Sequence, residues 1–271
     1  MDRAEIHGIQ LEVSHVPGPA QKAPLLFLHE GLGSVSMWAQ RGRDWPRELC
    51  AATGRAGWLF SRRGYGRSDP VPDARGAPRM DGFWHVGRHA PDYMHREALD
   101  VLPELLRQLD VRQPVLVGHS DGASIALLHA SRHPVSACVV MAPHVFVEDV
   151  SIRSIEQARL AYADTSERGL RQRLARYHQD ADNAFWQWND IWLSPAFRDF
   201  DIRPDCRLIT APLLAVQGLN DEYGSLDQLR DIQAMVPGAT TLELPDCGHS
   251  PHRDQPDLLT AAITRFLKPC A

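Results

Sequence analysis

No window of this sequence approaches the roughly 18 consecutive apolar residues that a membrane-spanning helix needs. The opening stretch MDRAEIHGIQ also lacks the apolar run of a secretory leader. A cytoplasmic protein with no membrane partner is therefore expected. Charge of one sign is equally scarce: 29 Lys and Arg stand against 34 Asp and Glu, a net charge of −5, with a pI near 6.2. Without a basic stripe or a block of like charges, nucleic acid is not an expected partner. The cysteines Cys50, Cys138, Cys206, Cys247 and Cys270 are odd in number and show no C-x-x-C spacing. They read as free thiols rather than a disulfide frame. The ending KPCA is not a prenylation box. No Walker, Rossmann or flavin fingerprint occurs, so no organic cofactor is expected. Cys247, His249 and His252 cluster in sequence, but no further ligand is spaced to complete a metal site, and none is expected.

What the chain does have is 44% hydrophobic and 23% charged residues over 271 positions, enough for one large α/β domain. Short apolar runs at 23–29, 57–60, 115–118, 137–141, 212–218 and 240–245 read as strands buried on both faces, with Glu5 to Val13 as an edge strand. Helix-like spans at 35–52, 93–109, 121–132, 225–235 and 256–267 alternate with them. Such alternation predicts a mostly parallel, doubly wound α/β sheet. From Pro143 to Arg207 no strand candidate appears. The reading is a core of residues 1–142 and 208–271, with a helical cap of 143–207 inserted after the fifth major strand. Its segment FWQWNDIW holds three of the seven tryptophans, Trp186, Trp188 and Trp192. With Phe185 and Phe197 they are expected to wall an apolar pocket over the carboxyl ends of the strands. The competing reading makes these rings the cap's own core.

The stretch VLVGHSDGASIALLHA carries the chemistry. GHSDG (118–122) is a G-x-S-x-G match, placed between a buried strand and a helix, which is the setting of a nucleophile elbow. The glycines permit a tight turn from which Ser120 projects, and the helix N-terminus behind it favours developing negative charge.

Together with this elbow, LHEGLGS (28–34), SRRGYGRSD (61–69), GLND (218–221) and PDCGHSPHRDQP (245–256) give the chain a resemblance to the α/β-hydrolase superfamily over essentially its whole length. The four segments resemble that family's oxyanion loop, its D-x-R-G-x-G-x-S segment, its acid-bearing turn and its histidine loop. Ser61 stands where the family usually has Asp. The resemblance implies the α/β-hydrolase fold and a triad in the chain order Ser120, Asp221, His249. Serine is a poor nucleophile without a base. His249 is the expected base, with His252 its rival. Asp221 is the expected acid, with Asp149 the runner-up and Glu222 a poorer fit. The backbone N–H groups of Asp121 and Gly31 are the expected oxyanion donors, with Glu30 or Leu32 as substitutes for Gly31.

Glu30 and Asp121 place two carboxylates beside that oxyanion, so at least one must turn away or be paired. A pairing of Glu30 with Arg62 or Arg63 is expected; the alternative gives Glu30 a cationic group of the substrate. Glu30, Leu32, His119, Trp186, Trp188 and Trp192 form the expected substrate-facing set. The leading expectation is a hydrolase of a small ester, thioester or amide. The resemblance also extends to carbon–carbon bond hydrolases acting on a vinylogous diketo acid, for which Arg159, Arg173 and Arg176 are available. A slow-turnover ligand receptor on the same fold is the third reading. The one partner expected is a small-molecule substrate; the sequence specifies no oligomeric state.

Overall fold

The computed structural model describes residues 2–270. At its centre eight strands form one sheet in the order β1-β2-β4-β3-β5-β6-β7-β8. They are β1 (Arg3–Ile6), β2 (Ile9–Val16), β3 (Leu25–Leu28), β4 (Gly57–Phe60), β5 (Val115–His119), β6 (Ala137–Met141), β7 (Leu213–Gly218) and β8 (Thr240–Leu244). β2 runs antiparallel to both of its neighbours, and every other pairing is parallel. This is the α/β-hydrolase fold expected above. LLFL, VLVGH, ACVVM and LLAVQG are buried along their whole length, because helices cover both faces of these strands.

Period-two alternation within each strand then feeds two separate apolar layers. Leu26, Leu28, Leu116 and Val140 pack with Met94, Leu105, Ile125 and Leu128 on one side. Leu25, Phe27, Val117 and Val139 pack with Trp45, Leu49, Leu259 and Ile263 on the other. The sheet is thus held rigid from both faces where its carboxyl ends must present a site.

Two elements differ from expectation. The single strand over Glu5 to Val13 is instead a hairpin: His7 (φ 46°) and Gly8 (φ 80°) are both left-handed, and Ile6 pairs with Ile9. Two such residues form the turn whose twist suits adjacent strands. The strand at 137–141, counted as the fifth, is therefore the sixth. The helix expected over 35–52 begins only at Trp45: a 3₁₀ turn (Val35–Trp38) and a small hairpin across Arg41 and Gly42 precede it. Helix α1 (Trp45–Thr53) starts where Asp44 accepts a hydrogen bond from the Arg47 N–H, and helix α2 (Leu102–Gln108) precedes β5.

Between β6 and β7 the chain is helical, with principal helices at Asp149–Ala163, Leu170–Leu174 and Ala181–Trp192. An isolated bridge between Phe146 and Asp201 draws the entry and exit of this segment together. Tyr162 stacks on Phe185 at 3.6 Å. The half-buried Asp190 takes Arg88 at 2.9 Å, Arg159 at 3.2 Å and Arg75 at 3.5 Å. Among the described residues no helix is long and apolar enough to cross a membrane. Cys50, Cys138, Cys206 and Cys247 are buried free thiols; the Cys270 side chain lies outside the described set.

Candidate active site

The turn from β5 into helix α3 (Asp121–Ala130) takes one residue. Ser120 sits at φ 54°, ψ −119°, a left-handed conformation that side chains rarely adopt. Its N–H donates to the Met141 carbonyl on β6, and its own carbonyl accepts from the Ala123 and Ser124 amides. The flanking glycines are required by contact: a Cβ at Gly118 runs into the Gly122 carbonyl, and one at Gly122 into the Leu28 carbonyl. Packed this closely, the corner over-determines the strained serine and projects its hydroxyl.

His249, in the loop after β8, comes down on that hydroxyl with Nε2 2.9 Å from Ser120 Oγ. Its Nδ1 lies 2.8 Å from Asp221 Oδ1, in the loop after β7. Asp221 is held by two backbone donors and one side chain: Oδ1 also accepts from the N–H of Tyr223 at 2.8 Å and of Gly224 at 3.3 Å, and Oδ2 from the Gln217 side-chain Nε2 at 3.2 Å. Burial alone would raise the Asp221 carboxyl, but His249 and these donors outweigh it and hold it below the usual carboxylate range. For His249, burial works against the charged ring; Asp221, then Glu30 and Glu222, more than compensate and raise its pKa. Asp149 takes no part: it is 73% exposed and paired with Arg198 at 2.8 Å. His252 also stands aside, its ring packed against Trp38 and Trp45.

Asp121 resolves half of the carboxylate problem posed by the sequence. Its side chain turns back into the protein, where Oδ2 accepts from Tyr93 Oη at 2.7 Å and Arg62 Nη1 at 3.4 Å, and Oδ1 from Trp192 Nε1 at 3.2 Å. Its backbone N–H, at the first position of α3, has no carbonyl within the helix to bind. The expected pairing of Glu30 with Arg62 or Arg63 is therefore corrected. Arg62 goes to Asp121 and to the Glu30 carbonyl, and Arg63 to the carbonyls of Pro70 and His85. The Glu30 carboxylate instead faces His119 Nδ1 at 3.8 Å.

A cavity of about 330 Å³ opens in front of Ser120 and His249. Leu32, Ile155, Leu170, Leu174, Trp188 and Trp192 give it an apolar wall, while Glu30, Glu222, Arg173 and Arg253 add charge. Gly31 lines it too, and a Cβ there collides with the Trp188 indole. Phe185 and Phe197, expected on this wall, are instead fully buried against Tyr162 and Phe200, and two of the expected substrate-facing set are also not on it. Trp186 points outward beneath the Arg75 guanidinium, 3.7 Å from its ring, because two residues along a helix reverse direction. His119 lies behind the site beside Trp38 and His252, and its Nε2 donates to the His249 carbonyl at 2.7 Å.

Glu30, His119 and His249 bring possible metal-ligand atoms within 4.8 Å of one another. Both nitrogens of His249 are committed to Ser120 and Asp221, and His119 Nε2 to a carbonyl. Only two ligand groups remain, fewer than the three or four protein ligands of a zinc site. Tyr93, Tyr223 and His144 are site residues that sequence reasoning missed, since none carries a local signal. Arg62 was expected at the site, but against Glu30 rather than Asp121.

A model of the alpha/beta hydrolase family matches residues 25–262. Among curated relatives, the sn-1-specific diacylglycerol lipase ABHD11 of Danio rerio is 26% identical over 93% of this chain and 80% of its own. The Mus musculus protein of the same name is 25% identical over 98% and 88%. Among solved structures, the enol-lactonase of Burkholderia xenovorans superposes with a TM-score of 0.70 at 20% identity, covering 98% of this chain and 99% of that one. A bacterial membrane phospholipase A gives 0.71 at 16% identity, covering 99% and 85%. At these identities the structural likenesses speak for the fold.

Proposed function

This chain belongs to the alpha/beta hydrolase family and is a hydrolase; we propose that it is a serine hydrolase cleaving a small ester, thioester or amide through an acyl-enzyme on Ser120. The observation that carries this reading is the continuous relay from Ser120 Oγ through His249 to Asp221, with contacts of 2.9 and 2.8 Å. His249 Nε2 takes the hydroxyl proton as Oγ attacks the acyl carbon, while Asp221 holds the Nδ1–H tautomer and stabilises the imidazolium. The oxyanion is met by the N–H of Asp121 and a second N–H from the Glu30–Leu32 loop, with Gly31 the favoured donor. The imidazolium then protonates the leaving group, which departs. Water enters, His249 takes its proton, and the acyl-enzyme is hydrolysed.

The wall of Leu32, Ile155, Leu170, Trp188 and Trp192 supports an apolar acyl or alcohol group. The helical segment 143–207 acts as its cap. A volume of about 330 Å³ sits at the low end of the roughly 300–1,000 Å³ typical of small-molecule sites, which favours compact esters over the two-chain lipids in the names of the curated relatives. The carbon–carbon hydrolase reading keeps Arg173 in the wall, but Arg159 is taken by Asp190, and Glu30 and Glu222 oppose a dianion.

Stopped-flow hydrolysis of p-nitrophenyl esters of increasing acyl length tests the proposal. A burst followed by steady turnover is expected, with kcat lowered on the order of 10⁵-fold in Ser120→Ala. Turnover that persists unchanged in that variant removes Ser120 as nucleophile; a single burst without turnover identifies a receptor instead.

A further inference from the structure

The cavity wall contains one group that the reaction above does not use. His144 follows β6 and lines the cavity together with Ser120, Trp192 and His249. Its backbone is pinned to α3 twice: its carbonyl accepts from Ser124 Oγ at 2.6 Å, and its N–H donates to that oxygen at 3.2 Å. The residue two before it, Ala142, is left-handed at φ 47°. The ring stands edge-on to Trp192 at 5.0 Å and lies 5.7 Å from the ring of His249.

A ring positioned with this care has no bond to show for it. Among the described residues neither nitrogen of His144 has a hydrogen-bond partner, and Nδ1 is sealed from solvent, so Nε2 is the nitrogen open to a ligand in the cavity that this residue lines. An unpartnered buried polar group destabilises the fold, and a phenyl or isobutyl group would fill the same wall without that cost. Burial, followed by the neighbouring His249 charge, pushes the ring's pKa down to about 3. It is therefore a neutral imidazole, able to bond an uncharged polar group but offering no charge to a carboxylate or an ammonium.

We infer that His144 is a substrate-binding residue, and that the substrate carries an uncharged oxygen, a hydroxyl or carbonyl close to the scissile ester, which hydrogen-bonds its Nε2. This rests on the Ser120 hydrolase reading and narrows its substrate class from plain apolar esters to oxygenated ones. The apolar wall then holds the carbon skeleton while His144 fixes its orientation beside the reacting carbonyl. Sites built to bond a polar group discriminate against analogues that lack it.

Two matched pairs test this. p-Nitrophenyl 3-hydroxybutanoate is compared with p-nitrophenyl butanoate, and 2-hydroxyethyl butanoate with propyl butanoate, followed in a pH-stat. The readout is the ratio of kcat/KM within each pair, whatever happens to absolute rates. Wild type is expected to favour the oxygenated member of at least one pair by about three- to tenfold, the worth of one neutral hydrogen bond. In His144→Leu the ratio should fall to near one, and in His144→Gln part of it should survive. His144→Phe, which keeps a flat ring against Trp192, replaces His144→Leu if that variant does not fold. No preference in either pair in wild type, or a preference that persists in the apolar variants, overturns the inference while leaving the serine hydrolase reading intact. Absence of any Ser120-dependent turnover overturns both.

Discussion

The turn after β5 and the loop after β7 each bury one aspartate, and the two are equally enclosed, with 1% of each side chain exposed. Their surroundings differ in kind. Asp221 is held largely by backbone amides of its own loop and presents its remaining lone pairs to His249. Asp121 is held by side chains alone, from the loop after β4, the helix beginning at Tyr93 and the helix ending at Trp192. Local amides leave a carboxylate ionised and free to serve a partner, and Asp221 lies below the usual range. Burial pushes Asp121 above it, against the pull of Arg62, Tyr93 and Trp192. On the proposed mechanism, one carboxylate serves the chemistry and the other the assembly of the fold.

The sharpest way to break this comparison is to neutralise each in turn. Asp221→Asn should lower kcat on the order of 10⁴-fold by stranding the wrong tautomer of His249, with little change in melting temperature at a pH above the folded His249 pKa. Asp121→Asn should do the reverse. It uncouples a buried ion pair that costs about 3 kcal/mol to break, visible as a drop of roughly 5–10 °C in thermal melts, with much more residual activity than Asp221→Asn. Equal effects on rate and stability in the two variants would erase the distinction.

A smaller effect sharpens it through pH. The base must be neutral, so the acid limb of kcat/KM should fall at a pH above the ordinary histidine value near 6.5, given the raised pKa of His249. Glu30→Gln removes one of the carboxylates that raise it and should move that limb to lower pH. The stability supplied by the His249–Asp221 pair follows the opposite course. Because the folded pKa is the higher one, this contribution is full below the unfolded pKa and is lost as pH rises through the folded value. Activity should therefore appear over the window in which this share of stability fades, which parallel pH–rate and pH–melting curves would show. The smallest expected change in activity is in Trp186→Ala, which removes the stack with Arg75 and edge contacts with Tyr162 and Phe185. Stability should fall by about 1–2 kcal/mol, with KM unchanged, whereas Trp188→Ala should raise KM. A matching rise in KM for Trp186→Ala would return that ring to the substrate wall.

Much of the architecture was legible because the buried strands are continuous apolar runs and the elbow's glycines sit where backbone contacts demand them. The order of Ser120, Asp221 and His249 along the chain suggested which residues meet. What escaped has physical reasons. Left-handed His7 and Arg41 split a strand and a helix that hydrophobic pattern alone runs together. The pairing of Glu30 with an arginine of the adjacent strand's loop is not made, because Arg62 reaches Asp121 instead. The direction of Trp186 was in fact readable: Trp188 and Trp192, four apart, share a helix face, and Trp186 does not. Tyr93 and His144 were not readable, since each acts only through neighbours brought in from distant segments.

The backbone of Ser120 has a consequence for inheritance as well as for chemistry. At φ 54°, ψ −119° the position suits glycine better than any residue bearing a Cβ. A chain selected for thermal endurance alone would drift to Ser120→Gly, gaining on the order of 1 kcal/mol of relieved strain and melting higher than its parent. On the proposed mechanism, serine at such a corner carries a standing debt that its hydroxyl's work offsets.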